Sequence, residues 1–123
     1  MVLIDTCGWI EIFEGGALAP IFLPHTANLS EVLVPTIVQC ELYRVARRER
    51  GERSAAEAVV YLNGGAVVGF DTHLAVQAGD VAALYRLSLA DSIILATAIR
   101  YRARLVTCDA HFEHVPDVEY HRK

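Results

Sequence analysis

Val2-Leu3-Ile4, Val32-Leu33-Val34, Ala66-Val67-Val68-Gly69-Phe70 and Arg104-Leu105-Val106-Thr107 are short, mostly apolar runs without in–out alternation. A strand that reads this way is buried on both faces, as happens when helices cover both sides of a parallel sheet. Helical patterning fills the intervals. It is expected over Thr6–Phe13, stopped by Gly15-Gly16, and more poorly over Ala17–Thr26, where Pro20 and Pro24 intervene. It resumes with Pro35 in a first turn and runs to about Arg50, then over Glu52–Leu62, Thr72–Arg86 and Leu89–Arg102. Val118-Glu119-Tyr120 suits a short edge strand. Strand–helix alternation of this kind predicts an α/β fold with a mostly parallel sheet of four or five strands. No linker, repeat or low-complexity segment interrupts the 123 residues, so one domain over 1–123 is expected.

Lysine is nearly absent. Of 11 Lys and Arg residues only Lys123 is a lysine. Phosphate-binding loops, kinases and Schiff-base enzymes all need an internal Lys, so those classes are excluded. A phospho-receiver signalling domain, which needs a Lys late in the chain, is disfavoured on the same ground. A net charge of −4 and a pI near 5.7 speak against a broad basic surface for coating DNA. The apolar stretch Leu89–Ile99 is broken by Asp91, Ser92 and Thr97 and is too short to cross a bilayer, so a soluble, cytoplasmic protein without a membrane partner is expected. Cys7, Cys40 and Cys108 are odd in number and widely spaced, which suits small buried side chains in a reducing compartment.

In an open parallel sheet, ligands bind beyond the carboxyl ends of the strands. Three runs here end in Asp5, Asp71 and Asp109. Asp is also a good helix N-cap, and Asp71 reads as a cap alone. Glu41 falls inside the apolar face set by Ile37, Val38, Leu42 and Val45. It is either paired with Arg44 or Arg48 on the same side, or aimed at a metal or a proton. Asp91 opens a helix that is apolar nearly all round, so it is either half of a Ser88-x-x-Asp91 capping box or a buried site residue. Several carboxylates converging on one pocket need cations, because each raises its neighbours' pKa. Mg²⁺ or Mn²⁺ with carboxylate and water ligands answers that need, and such ions can activate water against a phosphodiester.

The order strand–Asp5-Thr6, Val38-Gln39-Cys40-Glu41-Leu42-Tyr43, Leu89-Ala90-Asp91-Ser92-Ile93-Ile94 and Leu105-Val106-Thr107-Cys108-Asp109-Ala110-His111-Phe112 resembles the PIN-domain family, in particular VapC-type toxin ribonucleases. The resemblance covers nearly the whole chain. It implies a Rossmann-like three-layer α/β/α sandwich and Mg²⁺- or Mn²⁺-dependent endoribonuclease activity. It implies Asp5, Glu41, Asp91 and Asp109 as metal ligands and catalytic acids, with Thr107 positioning a water or a carboxylate. It also implies an RNA substrate, a homodimer, and an antitoxin protein that forms a hetero-oligomer and sends its C-terminal segment into the acidic groove. Many members carry a further acid just after the last Asp, where this chain has Ala110-His111. The alternative is a non-catalytic PIN-like module that binds RNA or protein, against which the complete quartet weighs.

Arg44, Arg47, Arg48, Arg50 and Arg53 follow Glu41 closely. Arg44 and Arg48 continue its helical face and could grip RNA phosphates or antitoxin carboxylates, or the cluster could simply pair with Glu49, Glu52 and Glu57. Trp9 and Phe13 suit core or dimer contact. Cys108, His111 and His114 lack the fourth ligand of a structural zinc site, although His111 stands where it could touch substrate. Setting the four proposed ligands aside leaves 11 acids against 11 bases, so the negative excess equals the charge of the proposed site.

Overall fold

The computed structural model describes residues 1–123. Five strands form one parallel sheet: β1 (Val2–Ile4), β2 (Val32–Pro35), β3 (Ala66–Val68), β4 (Arg104–Thr107) and β5 (Glu119–Tyr120). Their order is β3-β2-β1-β4-β5. Six α-helices flank the sheet: α1 (Thr6–Glu14), α2 (Ala19–Phe22), α3 (Thr36–Arg50), α4 (Glu52–Leu62), α5 (Thr72–Tyr85) and α6 (Leu89–Arg100). The α/β sandwich expected from the alternation of runs is thus the observed one.

The strand order follows from how right-handed crossovers accumulate. From β1 the chain steps outward to β2 and β3, then returns to the other side of β1 for β4 and β5. Because parallel crossovers are right-handed, this reversal puts α5 and α6 on the face opposite the helices of the first half. It also makes the β1–β4 boundary the switch point, where the connections leaving the strand ends diverge and open a crevice.

The core is the apolar content of the strands and the helix faces packed on them. Leu3, Ile4, Leu33, Val34, Leu105 and Val106 are buried, as are Trp9, Phe22, Leu62, Leu74 and Phe112. α6 is the most enclosed helix, with every residue from Asp91 to Ala98 buried. This matches its nearly all-round apolar sequence. α1 begins directly on the end of β1, and Gly8 lets it lie close: a Cβ there would stand 2.7 Å from Ile4 Cγ2 and 2.8 Å from the Phe22 ring. Gly15, at φ 62°, closes α1 in a left-handed cap whose N–H reaches Glu11 and Ile12 carbonyls.

Several local expectations are corrected. Pro35 is not in the first turn of α3. It is the last residue of β2, paired in register with Val68, and serves as the N-cap position. Its missing N–H costs little at a strand end. The poor helix expected over Ala17–Thr26 is the short α2 followed by a 3₁₀ turn over Leu23–Thr26, because Pro24 breaks the α-helical ladder. β3 stops at Val68, short of Gly69 and Phe70. Cys40 is exposed on α3, whereas Cys108 is buried and Cys7 half-buried.

Candidate active site

The residues that follow β1 and β4 meet at the switch point. Asp5 caps α1: its Oδ1 accepts from the Thr6 N–H at 2.8 Å, and its own N–H donates to Val106 O at 3.0 Å across the β1–β4 pair. Its Oδ2 accepts from the Thr107 hydroxyl at 2.7 Å. Capping and site membership are therefore compatible. The carboxyl is 3% exposed. Burial pushes its pKa up to about 6, the bonds from Thr107 and Thr6 pull it down, and the nearby charges of Asp91 and Asp109 push it up again.

Thr107 links both strand ends. While donating to Asp5, its Oγ1 accepts the Asp109 N–H at 2.9 Å. Cys7 Sγ lies 3.3 Å from the same hydroxyl and accepts the Cys108 N–H at 3.2 Å. Burial and the Asp5 charge push the Cys7 thiol up, so it stays protonated in this pocket.

Asp91 enters from α6. Its backbone N–H donates to the Ser88 cap hydroxyl at 3.3 Å, which forms one half of the capping box. Its carboxylate faces both the Ser88 hydroxyl and His111, whose Nδ1 lies 3.3 Å from Asp91 Oδ2. The same Nδ1 is 3.3 Å from Asp109 Oδ1. Burial raises the Asp91 pKa, and the Asp109 charge raises it further. Asp91, Asp109 and His111 each offer a ligand atom within 4.8 Å of the others. Hard carboxylate oxygens at this spacing fit a divalent ion.

Glu41 reaches the site from α3. Its Oε1 accepts the Thr6 hydroxyl at 2.6 Å. Thr6 adjoins Asp5, so Glu41 is attached to the β1 end of the site, and neither Arg44 nor Arg48 pairs with it. Arg48 pairs with Glu49 at 3.1 Å, Arg47 with Glu52 at 3.0 Å, and Arg53 with Glu57 at 3.2 Å, all exposed. Local pairing thus accounts for those three, while Arg44 is exposed and makes no ion pair. Asp71 caps α5 through the Leu74 N–H and pairs with Arg100 at 2.9 Å, away from the acids. Trp9 is buried, with the half-exposed Phe13 stacked on it and Tyr61 edge-on.

Spacing did not show which groups two residues, Thr6 and His111, meet. Thr6 lies 35 residues from the glutamate it holds. His111 is brought to the acids by a 3₁₀ turn over Ala110–Phe112, which Asp109 itself caps by accepting the His111 N–H at 2.9 Å. The Cys108–His111–His114 series does not converge, since His114 Nε2 meets Tyr85 O at 2.8 Å.

Residues 2–118 match the family model described as PIN domain. A chain of a toxin–antitoxin complex from Klebsiella pneumoniae superposes with a TM-score of 0.80 at 25% identity, covering 96% of this chain and 95% of that one. VapC20 of Mycobacterium tuberculosis, described as a sarcin–ricin loop cleaving toxin, gives 0.79 at 19% identity over 97% and 98%. DNA-bound VapBC from Salmonella typhimurium gives 0.75 at 20% identity over 99% and 98%. The latter two share the fold. No curated protein matches the chain.

Proposed function

The chain belongs to the PIN domain family, and from that premise we propose that it is a Mg²⁺- or Mn²⁺-dependent endoribonuclease and the toxin of a VapBC-type toxin–antitoxin pair. One observation carries this reading. Asp5 and Asp109, at the ends of β1 and β4, are joined through the Thr107 hydroxyl, and Asp109 and Asp91 of α6 both lie 3.3 Å from His111 Nδ1, so the three acids share one crevice. Carboxylates that converge at a strand-end crevice repel one another, and a bound cation relieves that repulsion.

Asp91 and Asp109 would hold the ion, with Asp5 and Glu41 completing an acidic wall around it. When bound, a divalent ion neutralises the wall, lowers the pKa of a bound water and stabilises the leaving oxygen of a phosphodiester. The chain's own contribution is orientation. Both Asp5 oxygens are committed, one to a backbone N–H and one to Thr107, so that carboxylate cannot rotate. Glu41 is held by Thr6 through one oxygen. Arg44, unpaired and one helical turn beyond Glu41, would take an RNA phosphate, and Arg48 could exchange its weak exposed pair with Glu49 for the same purpose.

The likeness to a chain of a toxin–antitoxin complex supports an antitoxin partner. A groove between α1, α3 and α4, lined by Ile10, Phe13, Leu42 and Val45, offers apolar surface that an antitoxin segment would cover. Leu84 and Leu89, 72% and 71% exposed on the α5–α6 face, suit a second copy of the chain in a homodimer. No single helix is long and apolar enough to cross a membrane, and three free thiols suit a cytoplasmic location.

The test is cleavage of RNA by wild type, Asp5→Asn and Asp91→Asn with Mg²⁺ or Mn²⁺. Wild type should cleave, EDTA should stop it, and each variant should lose at least about a hundredfold in rate, the scale on which removing one transition-state-stabilising group acts. Variants that cleave like wild type would overturn the assignment.

A further inference from the structure

His111 differs from every other histidine in the chain in facing two carboxylates at once. Its Nδ1 is 3.3 Å from Asp91 Oδ2 and 3.3 Å from Asp109 Oδ1. One ring nitrogen thus brings together carboxylates from α6 and from the end of β4. The three potential donor atoms all lie within 4.8 Å of one another, within reach of one cation. Donors at about 2.0–2.2 Å from an ion stand about 3 Å apart in cis octahedral positions and about 3.3 Å apart in a tetrahedron.

The placement is built into the local chain. The His111 N–H is bound by Asp109 Oδ1 at 2.9 Å, and the next residue, Phe112, is fully buried. The ring is therefore tied to the same turn as one of the carboxylates it faces. Its other side is open to solvent, which leaves room for further ligands. His114, one turn on, points away to Tyr85 O.

We propose that His111 Nδ1 is a metal ligand together with Asp91 and Asp109, so that this site is a mixed nitrogen–oxygen centre that favours Mn²⁺ over Mg²⁺. This rests on the metal-dependent reading above and specifies its ligand set and ion preference. Imidazole suits first-row transition ions, whereas an all-oxygen site suits Mg²⁺ equally well. His111 would act by binding and placing the ion at the mouth of the crevice, while the buried Asp5 lies deeper.

The experiment uses the metal-stripped full chain with Mn²⁺ as the probe. Pulsed electron paramagnetic resonance of the Mn²⁺-loaded protein reads directly bound nitrogen as ¹⁴N modulation, and calorimetry gives Mn²⁺ and Mg²⁺ affinities. Wild type should show imidazole modulation. His111→Ala and His111→Gln should lose it and bind Mn²⁺ at least about tenfold more weakly, since even partners outside the ligand shell can cost that much. Mg²⁺ affinity should fall less. Because the ring is exposed, neither variant threatens the fold. Mn²⁺ bound without nitrogen modulation, or modulation that survives in His111→Ala, would overturn the ligand assignment and leave the metal-dependent reading standing. A folded wild type that binds neither ion would overturn both.

Discussion

Asp5 shows how a single residue can be both structural and costly. Its oxygens accept from Thr6 and Thr107, yet burial still pushes its pKa up to about 6. A carboxyl with a folded value above its unfolded one binds more protons when folded, so stability falls as pH rises from about 4 to about 6 and stays lower beyond. Asp91, also raised, adds to the same slope. In EDTA, the stability of Asp5→Asn relative to wild type, lowered at every pH by the one acceptor that Asn lacks, should therefore rise by on the order of 1–3 kcal/mol between pH 4 and pH 7.5. Urea midpoints across that range would read the change. A relative stability that does not rise over that pH range would refute the buried-charge account. Thr107→Val should act the other way. It removes the donor to Asp5 and the acceptor for the Asp109 N–H, and leaving such groups unmet costs on the order of 1–3 kcal/mol. Thr107→Ser should restore most of it, and the cost should shrink in an Asp5→Asn background, because the two residues share one hydrogen bond.

At the scale of elements, the close seat of α1 on β1 fixes the direction of Asp5. Gly8 makes that seat possible, since a Cβ would meet Ile4 and the Phe22 ring at 2.7–2.8 Å. Gly8→Ala should destabilise by about 1–3 kcal/mol despite alanine's better helix propensity, the usual cost of overpacking. Thermal unfolding would show it, and an unchanged or higher midpoint would mean that Phe22 yields without cost. Legibility in the sequence divides along the same lines. The central strands β1, β2 and β4 were readable because burial on both faces writes itself as consecutive apolar residues, and α6 because its enclosure leaves few polar positions, whereas the half-exposed edge strand β3 was read too long. Acids at strand ends were readable from topology alone. Pro35 was not, because a proline at a strand end and one in a helix's first turn look alike until the pairing with Val68 is known. The Thr6–Glu41 contact was hidden by 35 intervening residues. His111 was marked in the sequence as a residue able to touch substrate, but its contact with Asp91 and Asp109 depends on a one-turn 3₁₀ segment that no periodicity announces. Arg48 had two partners in reach, and its immediate neighbour Glu49 engages it in the fold.

For the molecule as a whole, the proposed site opposes stability when empty of cations and should support it when filled. Any ion that binds only the folded chain adds RT ln(1 + [M]/Kd), about 2.7 kcal/mol at a hundred times Kd. Unfolding midpoints should therefore rise with the logarithm of Mn²⁺ concentration. Asp91→Asn should abolish the rise, and a flat response in wild type would count against the metal site. The sheet order adds a temporal side to this design. Asp5 is oriented by Thr107, 102 residues later, across the β1–β4 pair. At about 5–20 residues per second, that separation corresponds to on the order of 5–20 s of synthesis. A growing chain that lacks β4 has neither the hydroxyl that fixes Asp5 nor the segment that carries Asp109 and His111. The crevice is thus assembled only after β4 has been made, and a growing chain that stops short of β4 carries the residues of β1 without the partners that orient them.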